Sequence, residues 1–291
     1  MKRDCTRREF LKETALIGAA AAAMRAGGVN AAVAAPGKLP KVKLGTLEVS
    51  RLILGSNPFF GFAHGNPQAS GEEMKKYYTE ERIMAVMDEA AEQGITAVWT
   101  PAYDHWIRLW NKYRKRGGKL RIWIGQPDPN PELMKQHITA AAKNGAKAIC
   151  IQGEKVDAQF RAGKWDVLRG WLDHIHSFHL PAGMASHRPD VHLAAEEKGL
   201  PTDFYHQCFF QPENYSKEVR DLAIAAIKKL DKPVMGYKVL AAGRIPAKEG
   251  FAFAFKHLRR KDGICVGMLP KDDPDQVAEN AGLVRKTSLE S

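Results

Sequence analysis

From about residue 50 onward, short apolar runs alternate with longer stretches in which apolar positions recur every three to four residues. The runs are Arg51–Leu54, Thr96–Trp99, Arg121–Ile124, Ala148–Ile151, Ala182–Ala185, Phe204–Phe209, Val234–Val239 and Ile264–Val266. Their length and apolar character predict buried strands. The stretches between them predict helices at 80–92, 105–116, 131–143, 165–178, 191–197, 217–230, 247–260 and 275–285. Thr79 and Ser216 stand where N-caps belong, and Asn130-Pro131 places proline at a first helical position. Gly94, Gly117-Gly118 and Gly145 follow the first three helices as stop signals. Strand and helix alternating eight times predict an α/β fold, the (β/α)8 or TIM barrel. A doubly wound sheet would want a glycine-rich phosphate loop after an early strand, and the sequence has none. Ahead of the first strand, Val42–Val49 alternates around Gly45-Thr46 and predicts a short N-terminal β-hairpin.

The first residues follow another pattern. Thr6–Lys12 reads Thr-Arg-Arg-Glu-Phe-Leu-Lys and resembles the signal read by the twin-arginine export machinery. The apolar run Ala15–Met24 is too short to span a bilayer, and Ala32-Val33-Ala34 is a small-x-small cleavage site. The expectation is a removable signal over 1–34 and a single barrel domain over 35–291. The protein would be periplasmic or extracellular, with the export machinery as its one protein partner. That route carries folded cargo, which suits a protein loaded with a cofactor beforehand. No later segment is apolar enough to cross a membrane, so the mature protein is expected to lack an integral membrane segment.

Removing residues 1–34 from the 291 leaves 257, a typical length for one barrel. Six basic and three acidic residues leave with the signal, so the net charge falls from +11 to +8. The small basic clusters 112–116 and 256–261 fall at predicted helix ends, where cations suit the helix dipole. No nucleic-acid motif accompanies them, and no nucleic-acid partner is expected. Cys150, Cys208 and Cys265 remain after Cys5 is removed. An odd number in apolar runs reads as core thiols, with no metal-ligand spacing.

In a barrel of this kind, chemistry belongs to the loops after the strands. Those positions hold Asn57, then Trp99 with Tyr103-Asp104-His105, Gln126 with Asp128, and Gln152 with Glu154. Ser186-His187, Gln207, Tyr237-Lys238 and Met268 with Lys271 follow. Phe59, Phe60, Trp106, Phe209 and Phe210 add aromatic faces. Polar groups among aromatic rings suit a small polar organic substrate such as a sugar or a keto compound.

The segments Leu47–Gly61, Gly94–Thr100, Ala182–His187, Val234–Gly243 and Pro270–Asn280 together resemble the aldo-keto reductases. The resemblance is spread over most of 44–285. It implies a nicotinamide cofactor, NAD or NADP. Ser186 and Gln207 would grip the carboxamide, Tyr237 would stack on the nicotinamide ring, and Lys271, Glu279 and Asn280 would hold the adenosine end. Asp272 stands where a hydroxyl often helps bind the 2′-phosphate, and its charge would favour NAD. The family's Asp-Tyr-Lys-His set is not preserved. Its aspartate position holds Trp99, its lysine position Gly125-Gln126, and its histidine position Gln152 or Gly153, while Tyr103 lies near the tyrosine position.

Three functional readings follow. In the first, the chain is a divergent nicotinamide oxidoreductase that keeps its cofactor bound, with catalysis by Tyr103, Asp104, His105, His187 and Lys238, and with Asn57, Phe60, Trp99, Gln152 and Glu154 around a small polar substrate. The second is an isomerase, epimerase or lyase of sugar-like substrates on the same barrel. It would need no cofactor, or a divalent metal: Glu154, His187 and Asp104 or His105 would converge as an acid–base pair or as metal ligands, and a Schiff base at Lys238 is a further option. The third is a non-catalytic carbohydrate-binding barrel, with Trp99, Tyr103 and Trp106 as a stacking platform.

Overall fold

The structure is a computed structural model, and it describes residues 38–211 and 214–287. The expected signal over 1–34 lies outside them. Eight parallel strands close into a barrel: β3 (Leu52–Gly55), β4 (Ala97–Pro101), β5 (Ile122–Gln126), β6 (Ala148–Ile151), β7 (Ala182–Ser186), β8 (Phe204–Cys208), β9 (Val234–Tyr237) and β10 (Gly263–Gly267). The last strand returns to the first, with Ile264 opposite Leu52 and Gly267 opposite Gly55. Glycine is required at this seam, because a Cβ on Gly55 would stand 2.8 Å from the Gly267 nitrogen. The TIM barrel expected from the alternation is therefore present, with all eight strands where the apolar runs lie.

Before the barrel, β1 (Lys41–Leu44) and β2 (Leu47–Ser50) form the antiparallel hairpin, turning at Gly45 with φ +61°. Val42, Leu44 and Val49 pack into one apolar cluster with inward residues of the strands, among them Ile53, Ala97, Ile124 and Phe204. The hairpin thus closes the end of the barrel at which the strands begin. The other end is left for function.

The helices are α1 (Gly71–Tyr77), α2 (Glu80–Glu92), α3 (Asp104–Lys115), α4 (Met134–Lys143), α5 (Gly153–Arg161), α6 (Trp165–His176), α7 (Val191–Glu197), α8 (Lys217–Lys229), α9 (Ala247–His257) and α10 (Gln276–Thr287). Thr79 Oγ1 accepts from the Arg82 N–H and Ser216 Oγ from the Val219 N–H, so both expected caps are made. Asn130 makes no capping bond. Pro131–Leu133 is instead a 3-10 turn that leads into α4. Two helices escape the apolar periodicity. The segment of α1 is mostly polar and buries only Met74, while the buried face of α5 is Gly153, Val156, Asp157 and Gln159. A helix whose inner face is half polar gives little hydrophobic period to read.

The basic cluster 112–116 is a solvated helix end, whereas in 256–261 Arg259 turns in to the buried Asp262. Lys112 pairs with Glu80 and Arg116 with Asp88. The three described cysteines are buried, and none of them forms a disulfide. Among the described residues, no helix is long and apolar enough to cross a membrane.

Candidate active site

A cavity of about 1290 Å³ opens at the ends of the strands. Ten of the expected site residues line it: Asn57, Trp99, Tyr103, Gln152, Glu154, His187, Tyr237, Lys238, Glu279 and Asn280. It runs from the barrel mouth to the first turns of α10.

The best-defined chemistry in it is His187. Its Nδ1 lies 3.1 Å from Oδ2 of Asp157, and its backbone N–H donates to the same oxygen at 3.1 Å. Ser186 Oγ donates to the other carboxylate oxygen at 2.5 Å. Asp157 is only 3% exposed. A carboxylate accepts and does not donate, so Nδ1 must carry the proton. Nε2 is then the imidazole nitrogen with a lone pair for proton transfer. Asp157 sits one turn into α5, which begins as soon as β6 ends. The Gln152 side chain caps that helix by accepting from the Lys155 N–H at 3.0 Å. Sequence reasoning missed Asp157, although an acid four residues after a glycine at a strand end could have pointed to it.

Tyr237 closes the floor beside this pair. Its hydroxyl donates to the Ser186 carbonyl at 3.1 Å, and its ring meets His187 and Trp99 edge-on at 5.8 and 5.5 Å. Burial raises its phenol well above the usual range. Lys238 follows with φ +55°, left-handed backbone that non-glycine residues seldom adopt, and its ammonium lies 6.0 Å from the Tyr237 ring. Across the mouth, the Tyr103 hydroxyl donates to Asp128 at 2.6 Å. Burial and that carboxylate raise the Tyr103 phenol and make it a weaker acid.

Six of the expected site residues, and Trp106 of the expected stacking platform, do not line the cavity. Gln207 is fully buried, with its amide donating to the Cys208 carbonyl at 3.1 Å. Ser186 is buried too, and its hydroxyl is spent on Asp157. Both alternate with the inward-facing strand residues Ala185, Phe204 and Cys208, so they face the helix layer. Asp104 and His105 are exposed at the start of α3. Phe60 packs edge-on against Tyr103 and His105 at 5.6 and 5.4 Å. Lys271 lies at the surface, 3.5 Å from Glu73. Trp106 is 1% exposed and cannot serve as a stacking platform.

For a nicotinamide dinucleotide the fit is therefore divided. Glu279, Asn280 and Tyr237 face the cavity, but the expected carboxamide grip of Ser186 and Gln207 does not. For a metal, no three His, Cys, Asp or Glu side chains gather as a ligand set among the described residues.

No family model and no curated protein matches the sequence. Solved structures do. A candidate aldo-keto reductase from Pseudomonas aeruginosa superposes with TM-score 0.62 at 16% identity, covering 88% of this chain and 98% of its own. A second structure of a candidate aldo-keto reductase from that organism gives 0.61 at 15%, covering 88% and 99%. A truncated 3-deoxy-D-arabino-heptulosonate 7-phosphate synthase from Thermotoga maritima gives 0.54 at 12%, covering 87% and 92%. At these identities the likeness shows the TIM-barrel fold alone.

Proposed function

We propose that this chain is a proton-transfer enzyme, an isomerase, epimerase or lyase acting on a small polar carbonyl or sugar-like substrate, with His187 as its acid–base group. The observation that carries the proposal is the His187–Asp157 pair at the wall of the 1290 Å³ cavity. Nε2 takes a proton from the carbon beside the substrate carbonyl. The C–H electron pair moves into the enolate. The proton then returns to carbon or to the enolate oxygen in an isomerisation, or leaves in water with a β-hydroxyl in an elimination. Asp157 holds the tautomer and stabilises the imidazolium that forms. Lys238 supplies positive charge near the same wall. The metal-assisted form of this reading has no ligand set behind it and is not used. The proposal includes export by the twin-arginine route to the periplasm or beyond, on the strength of residues 6–34.

A second reading, a nicotinamide oxidoreductase, is favoured by one observation: the cavity is continuous from Tyr237 to Glu279 and Asn280. Those three residues would hold the dinucleotide, which supplies hydride chemistry when bound, and His187 would exchange the substrate's proton.

The test is carbon–deuterium exchange. Aldoses, ketoses and keto acids are incubated with the enzyme in heavy water and read by NMR. Wild type should place deuterium at the carbon beside the carbonyl. Asp157→Asn should slow exchange by about 10²- to 10⁴-fold, the usual worth of a positioned acid–base group, with its circular dichroism unchanged. No exchange, together with stoichiometric NAD or NADP released on denaturing the purified protein, would overturn the proposal in favour of the second reading.

A further inference from the structure

One exposed aromatic ring belongs to the cavity. Among the described residues, only Phe62, Leu133 and Leu222 are large apolar side chains left exposed, and of these only Phe62, 41% exposed, lines the cavity. It is not loose. Its backbone N–H donates to the Asn57 carbonyl at 2.9 Å, directly after Gly61 ends the 3-10 turn Asn57–Phe60 with φ +69°. Its ring stacks on Phe60 at 5.9 Å and 28°, and Phe60 meets Tyr103 edge-on. A fixed, hydrated ring face at a cavity rim favours a ligand with an apolar face of its own.

The lining supplies the complementary half. Asn57, Asn66, Gln68, Gln126, Gln152, Gln276 and Asn280 put seven carboxamides on the cavity wall. Three have their oxygens fixed by backbone N–H groups: Asn66 Oδ1 accepts from Gln68 at 2.7 Å, Gln152 Oε1 from Lys155 at 3.0 Å, and Gln276 Oε1 from Leu269 at 2.6 Å. This orients their NH₂ groups as donors. Planar donor–acceptor groups beside an aromatic face suit vicinal hydroxyls on a ring whose C–H face is apolar. At about 1290 Å³ the cavity also exceeds the roughly 300–1,000 Å³ that encloses one small ligand.

We infer that Phe62 is the stacking subsite for a second sugar ring, so that the substrate is a carbohydrate of at least two rings whose reacting unit lies at His187. This deepens the proposed proton-transfer reading and rests on it for the reacting unit.

The experiment is calorimetric titration of the protein with glucose, galactose and mannose, and with maltose, cellobiose, lactose and trehalose. At least one disaccharide should bind more tightly than its monosaccharide. Phe62→Ala should weaken that disaccharide by about three- to tenfold, the worth of one aromatic stack, while leaving monosaccharide affinity within about twofold. Phe62→Trp should restore it. Phe62 is exposed, so its removal leaves the core intact. If Phe62→Ala changes both classes of sugar alike, or neither, while Asp157→Asn still abolishes deuterium exchange, the subsite is refuted and the proton-transfer reading stands. If no sugar binds and no exchange occurs, both fall.

Discussion

Mild acid should destabilise this barrel through two histidines sealed inside it. His192 and His206 are both fully buried. The His192 Nε2 lies 3.2 Å from the His206 carbonyl oxygen, and its ring stacks on Tyr205 at 4.3 Å. His206 has no partner for either ring nitrogen among the described residues, and its ring stands edge-on to Trp99 at 4.0 Å. Burial pushes His192 down to about 4 and, reinforced by His192 itself, pushes His206 down to about 3. Both are therefore neutral in the folded chain. In the unfolded chain a histidine titrates near 6.5. Below that pH the unfolded state binds protons that the folded state refuses, so the stability these groups contribute is complete above about 6.5 and is lost as pH falls toward 4 and 3. At pH 5 the loss is about 2 kcal/mol for each, about 4 kcal/mol together. That is a large part of the roughly 5–15 kcal/mol typical of a domain. The assay is urea unfolding followed by tryptophan fluorescence at pH 7.5 and 5.0, in wild type and in His206→Phe. Other titrating groups are common to both proteins and cancel in the comparison. His206→Phe should lose about 2 kcal/mol less than wild type between the two pH values. Equal losses would refute the reasoning.

Two further outcomes follow from named contacts. Asp262 is fully buried and accepts from the Val234 N–H at 2.9 Å and from Arg259 through its backbone and guanidinium, so Asp262→Ala should cost about 3–5 kcal/mol in urea unfolding, and a loss under about 1 kcal/mol would contradict this. Tyr103→Phe should leave deuterium exchange within about threefold of wild type, because Asp128 and burial hold that phenol too weakly acidic to be the proton donor; in the same assay, a loss as deep as that of His187→Ala would return Tyr103 to the chemistry.

The strands were legible because each is buried on both faces, so every residue of a run such as Ala148–Ile151 is apolar. Tertiary burial and local pattern agree there. The same logic hid α5, which turns Asp157 toward His187 and buries Gln159 where leucines would otherwise pack. Cavity-lining residues were legible where the strand-end rule sufficed, as for His187, Tyr237 and Lys238. The rule fails where a side chain's face matters more than its position along the chain. Ser186 and Gln207 sit at strand ends, yet they point to the helix layer, because a strand alternates its faces at every residue. Phe62 and Asn66 carried no signal at all. They lie in a loop without periodicity, and only the folded chain brings that loop to the cavity, where the Gly65 carbonyl accepts from Arg244 at 2.8 Å and the His64 carbonyl from Tyr215 at 2.6 Å.

The two sides of the barrel mouth differ in what they offer to acid–base chemistry. On the β4 and β5 side, the positions expected to hold aspartate and lysine carry Trp99 and Gly125-Gln126. Trp99 forms part of the cavity lining and packs on His206, while Gly125 faces Ala141 and Ala146. Burial and Asp128 there make the Tyr103 phenol a weaker acid. On the β6 and β7 side, His187 lines the cavity and has the buried carboxylate and fixed tautomer that suit proton transfer. The strands are equivalent in geometry, so either side of the mouth can carry an acid–base group without a change in the barrel. An imidazole there needs a support, and α5 supplies one in Asp157. The weak apolar pattern of that helix follows from the same support, because a buried carboxylate occupies a face that would otherwise pack leucines.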